Sequence, residues 1–157
     1  DKGEDLYRRS MYIYRKRTVP HPTMSTFDAG SREVCQVARQ RTNTPLQALA
    51  LLNDKTYVEA ARQLAVHCMQ THESAEKQVT TAFEMATLRQ PNEREYKILM
   101  ASLKRYRARF EDDIAAARLL LSVGEAKIPE GLELTELAAM STLCSAILAL
   151  DETITRE

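Results

Sequence analysis

Glycine and proline are scarce in this sequence. The 157 residues hold 4 glycines and 5 prolines, about 6% of the chain, where ordinary domains carry about 12%. Tryptophan is absent and aromatic residues make up only 6%. So few turn-formers leave little room for the tight turns of a sandwich or barrel, and they exclude a collagen-like or low-complexity chain. The three cysteines, Cys35, Cys68 and Cys144, are widely spaced and form no Cys-x-x-Cys pair. A zinc ribbon, a thioredoxin-type redox motif and a covalently attached c-type haem therefore have no support. No apolar run approaches the ~18 residues of a bilayer span, and no signal-peptide pattern opens the chain. A phosphate-cradling glycine loop and a Gly-x-Ser-x-Gly elbow are also missing, which argues against Walker-type and Rossmann nucleotide sites. Because the sequence opens on Asp1-Lys2-Gly3 without Met, it reads as a piece of something larger.

What is present points to a helical domain. Apolar residues make up 44% of the chain, and at this length one core can bury roughly two-thirds of the unfolded surface. The expected architecture is all-α: an irregular or extended front over residues 1–43, then a bundle of about five to six helices over 44–157, together one domain. In the front, Tyr7 to Arg15 reads as an extended segment, and Pro20 and Pro22 carry the chain through a loop to about Ser31.

Signals sharpen from Thr44. Thr44-Pro45-Leu46-Gln47 is a capping box with proline at the first helical position. It opens a helix to about Asn53 that is expected to bury Leu46, Leu49 and Leu52. Asp54 caps a second helix to about Gln70 with the stripe Tyr57, Ala61, Leu64, Ala65 and Cys68. A third starts at Ser74, with Val79, Phe83 and Ala86 inward. Asn92 and Glu95 form another capping box before a long helix to about Phe110, lined by Tyr96, Leu99, Leu103, Tyr106 and Phe110. A fifth helix spans about Asp112 to Val123 with Gly124 as a left-handed cap, and the last spans about Leu134 to Leu150.

Charge is balanced overall but unevenly placed: +4 over residues 1–41, +3 over 42–110 and −7 over 111–157. A basic front and an acidic tail can pair within the fold or face partners.

Three constellations come into question. Cys68 and His72 share a helix face, but two ligands do not close a zinc site and no second pair is evident. Tyr7, Arg8, Arg9, Tyr12, Tyr14, Arg15, Lys16 and Arg17 have the composition to stack bases and neutralise phosphates. The same residues equally suit tyrosines packed on the core with arginines meeting the acidic helices, and a pI near 7.0 argues against a dedicated nucleic-acid binder. The third is the run Arg39, Arg41, Thr42, Asn43, Thr44 and Gln47. Its arginines and amides beside a helix N-terminus suit an anion, a sugar or a carboxylate. The competing expectation is that Thr44 and Gln47 cap the helix while the arginines pair with Asp28, Glu33 or Asp151. As for the thiols, Cys144 reads as a small buried hydrophobe, and one disulfide with one free thiol is compatible with an exported chain.

This third run belongs to a longer ordered series. It includes Arg8-Arg9-Ser10-Met11-Tyr12, Arg17-Thr18-Val19-Pro20, Thr26-Phe27-Asp28-Ala29, Arg32-Glu33-Val34-Cys35, Arg41 through Leu49, Leu51-Leu52-Asn53-Asp54 and Leu150 through Glu157. The series resembles the planctomycete-specific domain one, a domain of unknown function numbered fifteen-fifty-three, in its C-terminal portion. This chain departs from the usual pattern at Tyr14, His21 and Ala149. The resemblance implies a large exported parent with a cytochrome-c-like haem domain upstream, periplasmic or at the cell surface, and no established activity. It implies no cofactor in this chain; any haem would sit in the upstream domain. The chain is then expected to be a non-catalytic helical module that docks upstream domains of its parent or another protein, with no nucleic acid and no membrane span. The rival expectation is a share in a redox or carbohydrate-directed site lined by Asp28, Arg32, Arg39, Arg41, Asn43 and Gln47. No catalytic constellation is recognised, and whether the parent is an enzyme is left open.

Overall fold

A computed structural model describes residues 3, 7, 10–12, 14–16, 18–30, 35, 37–38 and 42–155. Among these residues there are eight α-helices and no strand. They are α1 (Pro22–Thr26), α2 (Pro45–Asn53), α3 (Lys55–Thr71), α4 (Ala75–Thr87), α5 (Glu93–Asp112), α6 (Ile114–Leu121), α7 (Leu134–Leu148) and α8 (Asp151–Ile154). The fold is all-α, as the composition predicts. None of these helices is long and apolar enough to cross a membrane.

The centre of the bundle is α7, which packs against α2, α3, α4, α5, α6 and α8. Its sequence accounts for that position. Glu136 is its only charged residue, and Leu137 through Ser141, Leu143, Cys144 and Ile147 are all buried. A helix apolar on every side is stable only when surrounded. The small residues Ala138, Ala139 and Cys144 let neighbours approach closely, and the buried Ser141 hydroxyl donates to the Leu137 carbonyl at 2.7 Å. Around α7 stand Ala61, Ala65 and Cys68 of α3, Val79, Phe83 and Ala86 of α4, Leu103 and Phe110 of α5, and Leu121 of α6. Each fully buried large side chain of this kind contributes about 1.5–3 kcal/mol.

Helix starts follow local chemistry. Both capping boxes form, Thr44 with Gln47 and Asn92 with Glu95. The Asp54 side chain accepts from Thr56 N–H at 2.8 Å and so caps α3. Five expectations need correction. The loop from Pro20 to Ser31 contains α1, with Pro22 at its first turn. The fifth helix begins at Ile114, two residues later than expected. Asp113 accepts from Ala116 N–H at 2.9 Å, caps α6, and separates it from α5. Its C-cap is Ser122, so Gly124 is not the cap. The last helix ends at Leu148, and a separate short helix, α8, follows. In the front, described residues 10–12 form a 3-10 turn where an extended segment was expected, and Tyr12 and Tyr14 are exposed away from the core.

The fifth correction concerns α2. Leu46, Leu49 and Leu52 were expected inward, yet they are 58%, 58% and 49% exposed, while Gln47 and Leu51 are buried. At 3.6 residues per turn Gln47 and Leu51 share one face and the three leucines spread over the opposite one. Apolar residues occur on both faces of α2, so periodicity could not choose between them. Contacts with α1, α3 and α7 made the choice.

Candidate functional site

The polar run ahead of α2 folds around Gln47. Its backbone N–H donates to Thr44 Oγ1 at 3.3 Å, and its Oε1 accepts from Thr44 N–H at 3.0 Å. Its Nε2 donates to the Thr26 carbonyl at 2.8 Å and to Thr42 Oγ1 at 3.2 Å. Both amide protons of this buried side chain are therefore committed to the protein. Thr42 in turn donates from N–H and hydroxyl to Asp28 Oδ2, at 2.8 and 2.7 Å. Asp28 sits at φ 55, a left-handed position that aspartate tolerates better than most residues, just past the end of α1. The structure thus brings Asp28 and Gln47 together through Thr42. Asn43 points elsewhere, its Nδ2 donating to Asp151 Oδ1 of α8 at 2.5 Å. The other residues expected at this site, Arg32, Arg39 and Arg41, lie outside the described residues, as does Glu33.

Asp151 links this junction to a second charged cluster. Its neighbour Glu152 receives Arg89 Nε and Nη2, each at 2.7 Å, while Arg89 also grips Glu95 at 2.7 and 2.9 Å. The guanidinium stacks 4.9 Å from the centroid of the Phe83 ring. Leu88, at φ 63, turns the chain between α4 and α5 so that Arg89 reaches both carboxylates. Arg89 and the Asn92 N–H hold Glu95 down to about 2, and Arg89 holds Glu152 below the usual carboxylate range. The two carboxylates in return raise Arg89. All three side chains are partly open to solvent, which weakens the energetic value of the cluster.

A third polar cluster, not expected from the sequence, holds the two buried charged side chains among the described residues. Glu59 and Arg62, one turn apart on α3, are only 5% and 3% exposed. Glu59 accepts from the Tyr7 hydroxyl at 2.8 Å, Ala126 N–H at 2.6 Å and Glu125 N–H at 3.2 Å. Arg62 Nη2 lies 3.7 Å from Glu59 Oε1 and donates to the Ala126 carbonyl at 2.7 Å, while Nη1 donates to the Leu121 carbonyl. Arg62 thereby supplies a cation and a donor to the C-terminal end of α6. Burial by itself would raise the Glu59 carboxyl. The Ala126, Tyr7 and Glu125 donors and the Arg62 charge outweigh it and hold Glu59 below the ordinary carboxylate value. Tyr7 is raised, first because its hydroxyl donates a hydrogen bond to Glu59 and then through partial desolvation. Gly124, at φ 93, makes this approach possible, since a Cβ there would overlap the Glu59 side chain. One sequence signal does exist for this cluster: two charges at i and i+3 flank Ala61 on the apolar stripe of α3.

These arrangements tie elements together. The acid, amides and hydroxyls described above have protein partners, and the buried thiols are not poised for nucleophilic work. Burial pushes Cys68 up to about 11, and burial together with the neighbouring Cys68 pushes Cys144 up as well. Cys35 is exposed. No group of three or more His, Cys, Asp or Glu side chains suited to a metal occurs among the described residues. What the surface does offer is apolar: the row Leu46, Leu49 and Leu52 along α2.

Residues 1–103 match the model of a family described as PSD1, protein of unknown function (DUF1553). No curated protein and no solved structure matches the chain.

Proposed function

The chain belongs to the PSD1 family, and from that premise we propose that it is a non-catalytic helical docking module whose contact surface is the leucine row of α2. The observation that carries this reading is the exposure of Leu46, Leu49 and Leu52 on a helix whose other face is pinned by Gln47 and Leu51. A partner that covers such a row gains roughly 25 cal/mol for each Å² of apolar surface removed from water. The fitting partner is an amphipathic helix with an apolar stripe, laid along α2 as in other helix-on-helix recognition. The family resemblance of the sequence supplies its source: upstream domains of a large exported, cytochrome-c-associated parent, with the present chain as the C-terminal portion of a planctomycete-specific domain.

The rival, a redox or carbohydrate-directed site on Asp28, Arg32, Arg39, Arg41, Asn43 and Gln47, has less in its favour. Asp28, Asn43 and Gln47 already hold protein partners. Calorimetric titration of this chain with the upstream domains of its parent tests the proposal. Saturable association is expected, and Leu49→Glu should abolish it while leaving the thermal midpoint nearly unchanged, because Leu49 is already exposed. Absence of association, or association indifferent to Leu49→Glu, rules the docking face out. Loss of carbohydrate binding in a folded Arg41→Ala variant would favour the rival.

A further inference from the structure

Beside the C-terminal end of α2 lies a cavity of about 210 Å³, partly open to solvent. Its walls include Leu52 of α2, Ala61 of α3, Tyr106 of α5 and Leu120 of α6, with Ser141, Thr142 and Ser145 of α7 at its side; the Ser141 and Thr142 hydroxyls are spent on carbonyls of their own helix. Arg62 is part of the same wall. Two of its nitrogens are spent on the Leu121 and Ala126 carbonyls, but its buried Nε has no hydrogen-bond partner. Native proteins seldom leave a buried donor unmatched, and each such group asks for an explanation.

Size, lining and charge together specify what would fill the space. A dry apolar cavity of about 150 Å³ accommodates benzene. The present one is larger by the volume of a small substituent. An acceptor on that substituent would satisfy the Arg62 Nε–H. The acceptor should be uncharged, because Glu59, 3.7 Å from Arg62, already balances the guanidinium and a second carboxylate would be buried without a partner.

We propose that this cavity is a binding site for a small neutral aromatic molecule bearing one hydrogen-bond acceptor, with Arg62 Nε–H as the donor and Leu52, Ala61, Tyr106 and Leu120 as the apolar cradle. It shares only Leu52 with the docking surface; Leu46 and Leu49 are not among its walls.

The test uses three probes of similar size on the ¹⁵N-labelled chain: acetophenone, ethylbenzene and benzoate. Acetophenone should bind saturably and move the Arg62 Nε–H resonance together with the Ala61 and Leu120 amides. Ethylbenzene, lacking the acceptor, should bind at least about tenfold more weakly and leave Nε–H unmoved, the loss expected when a bond to a charged donor is missing. Benzoate should not bind. Ser145→Leu, which fills the cavity, should weaken acetophenone at least about tenfold, as the lost apolar space predicts. If that variant does not fold, the three probes on the unmodified chain decide alone. The proposal is overturned if acetophenone does not saturate, if ethylbenzene binds equally, if benzoate binds as well as acetophenone, or if a folded Ser145→Leu chain binds unchanged. Leu49→Glu should leave acetophenone binding intact, so failure of the docking surface and failure of this site are read separately.

Discussion

Two arginines organise the charged interior and the charged edge of this molecule, and they differ in an instructive way. Arg89 makes the better contacts. It is bidentate to Glu152, doubly bonded to Glu95 and stacked on Phe83, with bonds of 2.7–2.9 Å. Arg62 sits a longer 3.7 Å from Glu59. Contact length nevertheless misleads as a guide to importance. The Arg89 side chain is 40% exposed, so water can replace each of its partners, whereas the Arg62 and Glu59 side chains are 4% and 7% exposed and have no substitute solvent. Breaking the buried pair strands a charge in the core. Breaking the edge cluster returns its members to water.

The largest effect should come from Glu59→Ala. It leaves Arg62 buried without its counter-charge and frees the Tyr7, Glu125 and Ala126 donors, a loss of about 3–5 kcal/mol. Urea denaturation measures it. The same group sets acid sensitivity. A carboxyl whose folded pKa is lowered contributes its full stability above the ordinary value of 4.5, and that contribution drains as pH falls through the folded pKa. Glu95, held to about 2, and the lowered Glu152 share this sign. The thermal midpoint should therefore fall as pH drops from 4.5 toward 2, and Glu59→Gln should flatten that decline.

Gly124→Ala comes next, at about 2 kcal/mol, because a side chain at φ 93 is strained and its Cβ would push on Glu59. The loss should be smaller in a Glu59→Ala background, where the carboxyl atoms 2.4 Å from that Cβ are gone and only the residue-59 Cβ at 2.8 Å and the backbone strain remain, and a double-mutant cycle reads that coupling. Equal losses in both backgrounds would mean that backbone strain alone is responsible.

The smallest effect belongs to Arg89→Ala. Its urea midpoint should move least of the three, with faster amide exchange confined to α8 and the α4–α5 turn. If Arg89→Ala destabilised the fold as much as Glu59→Ala, exposure would not be what separates the two clusters.

How far the sequence reaches depends on how local each feature is. The capping boxes at Thr44 and Asn92 are legible because their partners stand three residues away. The inward faces of α4 and α5 are legible because one side of each carries Val79, Phe83 and Ala86, or Leu103 and Phe110. In the candidate site, Gln47 is legible from its place beside a helix start, and its capping bond to Thr44 follows from that place. Its bond to the Thr26 carbonyl, 21 residues away, does not. Arg32, Arg39 and Arg41 lie outside the described residues.

Local chemistry, then, decides that this chain is a set of capped helices with a central one too apolar to meet water. Scarce glycine and proline, proline at helix starts and side-chain caps are all short-range properties and are written in consecutive residues. Tertiary packing alone decides which side of α2 is buried, since both sides are apolar and only α1, α3 and α7 break the tie. It alone turns Glu59 and Arg62 from an ordinary exposed-looking pair into a buried lock. Their partners are the backbone groups of residues 121–126, some sixty positions downstream, delivered by the turn that Gly124 permits.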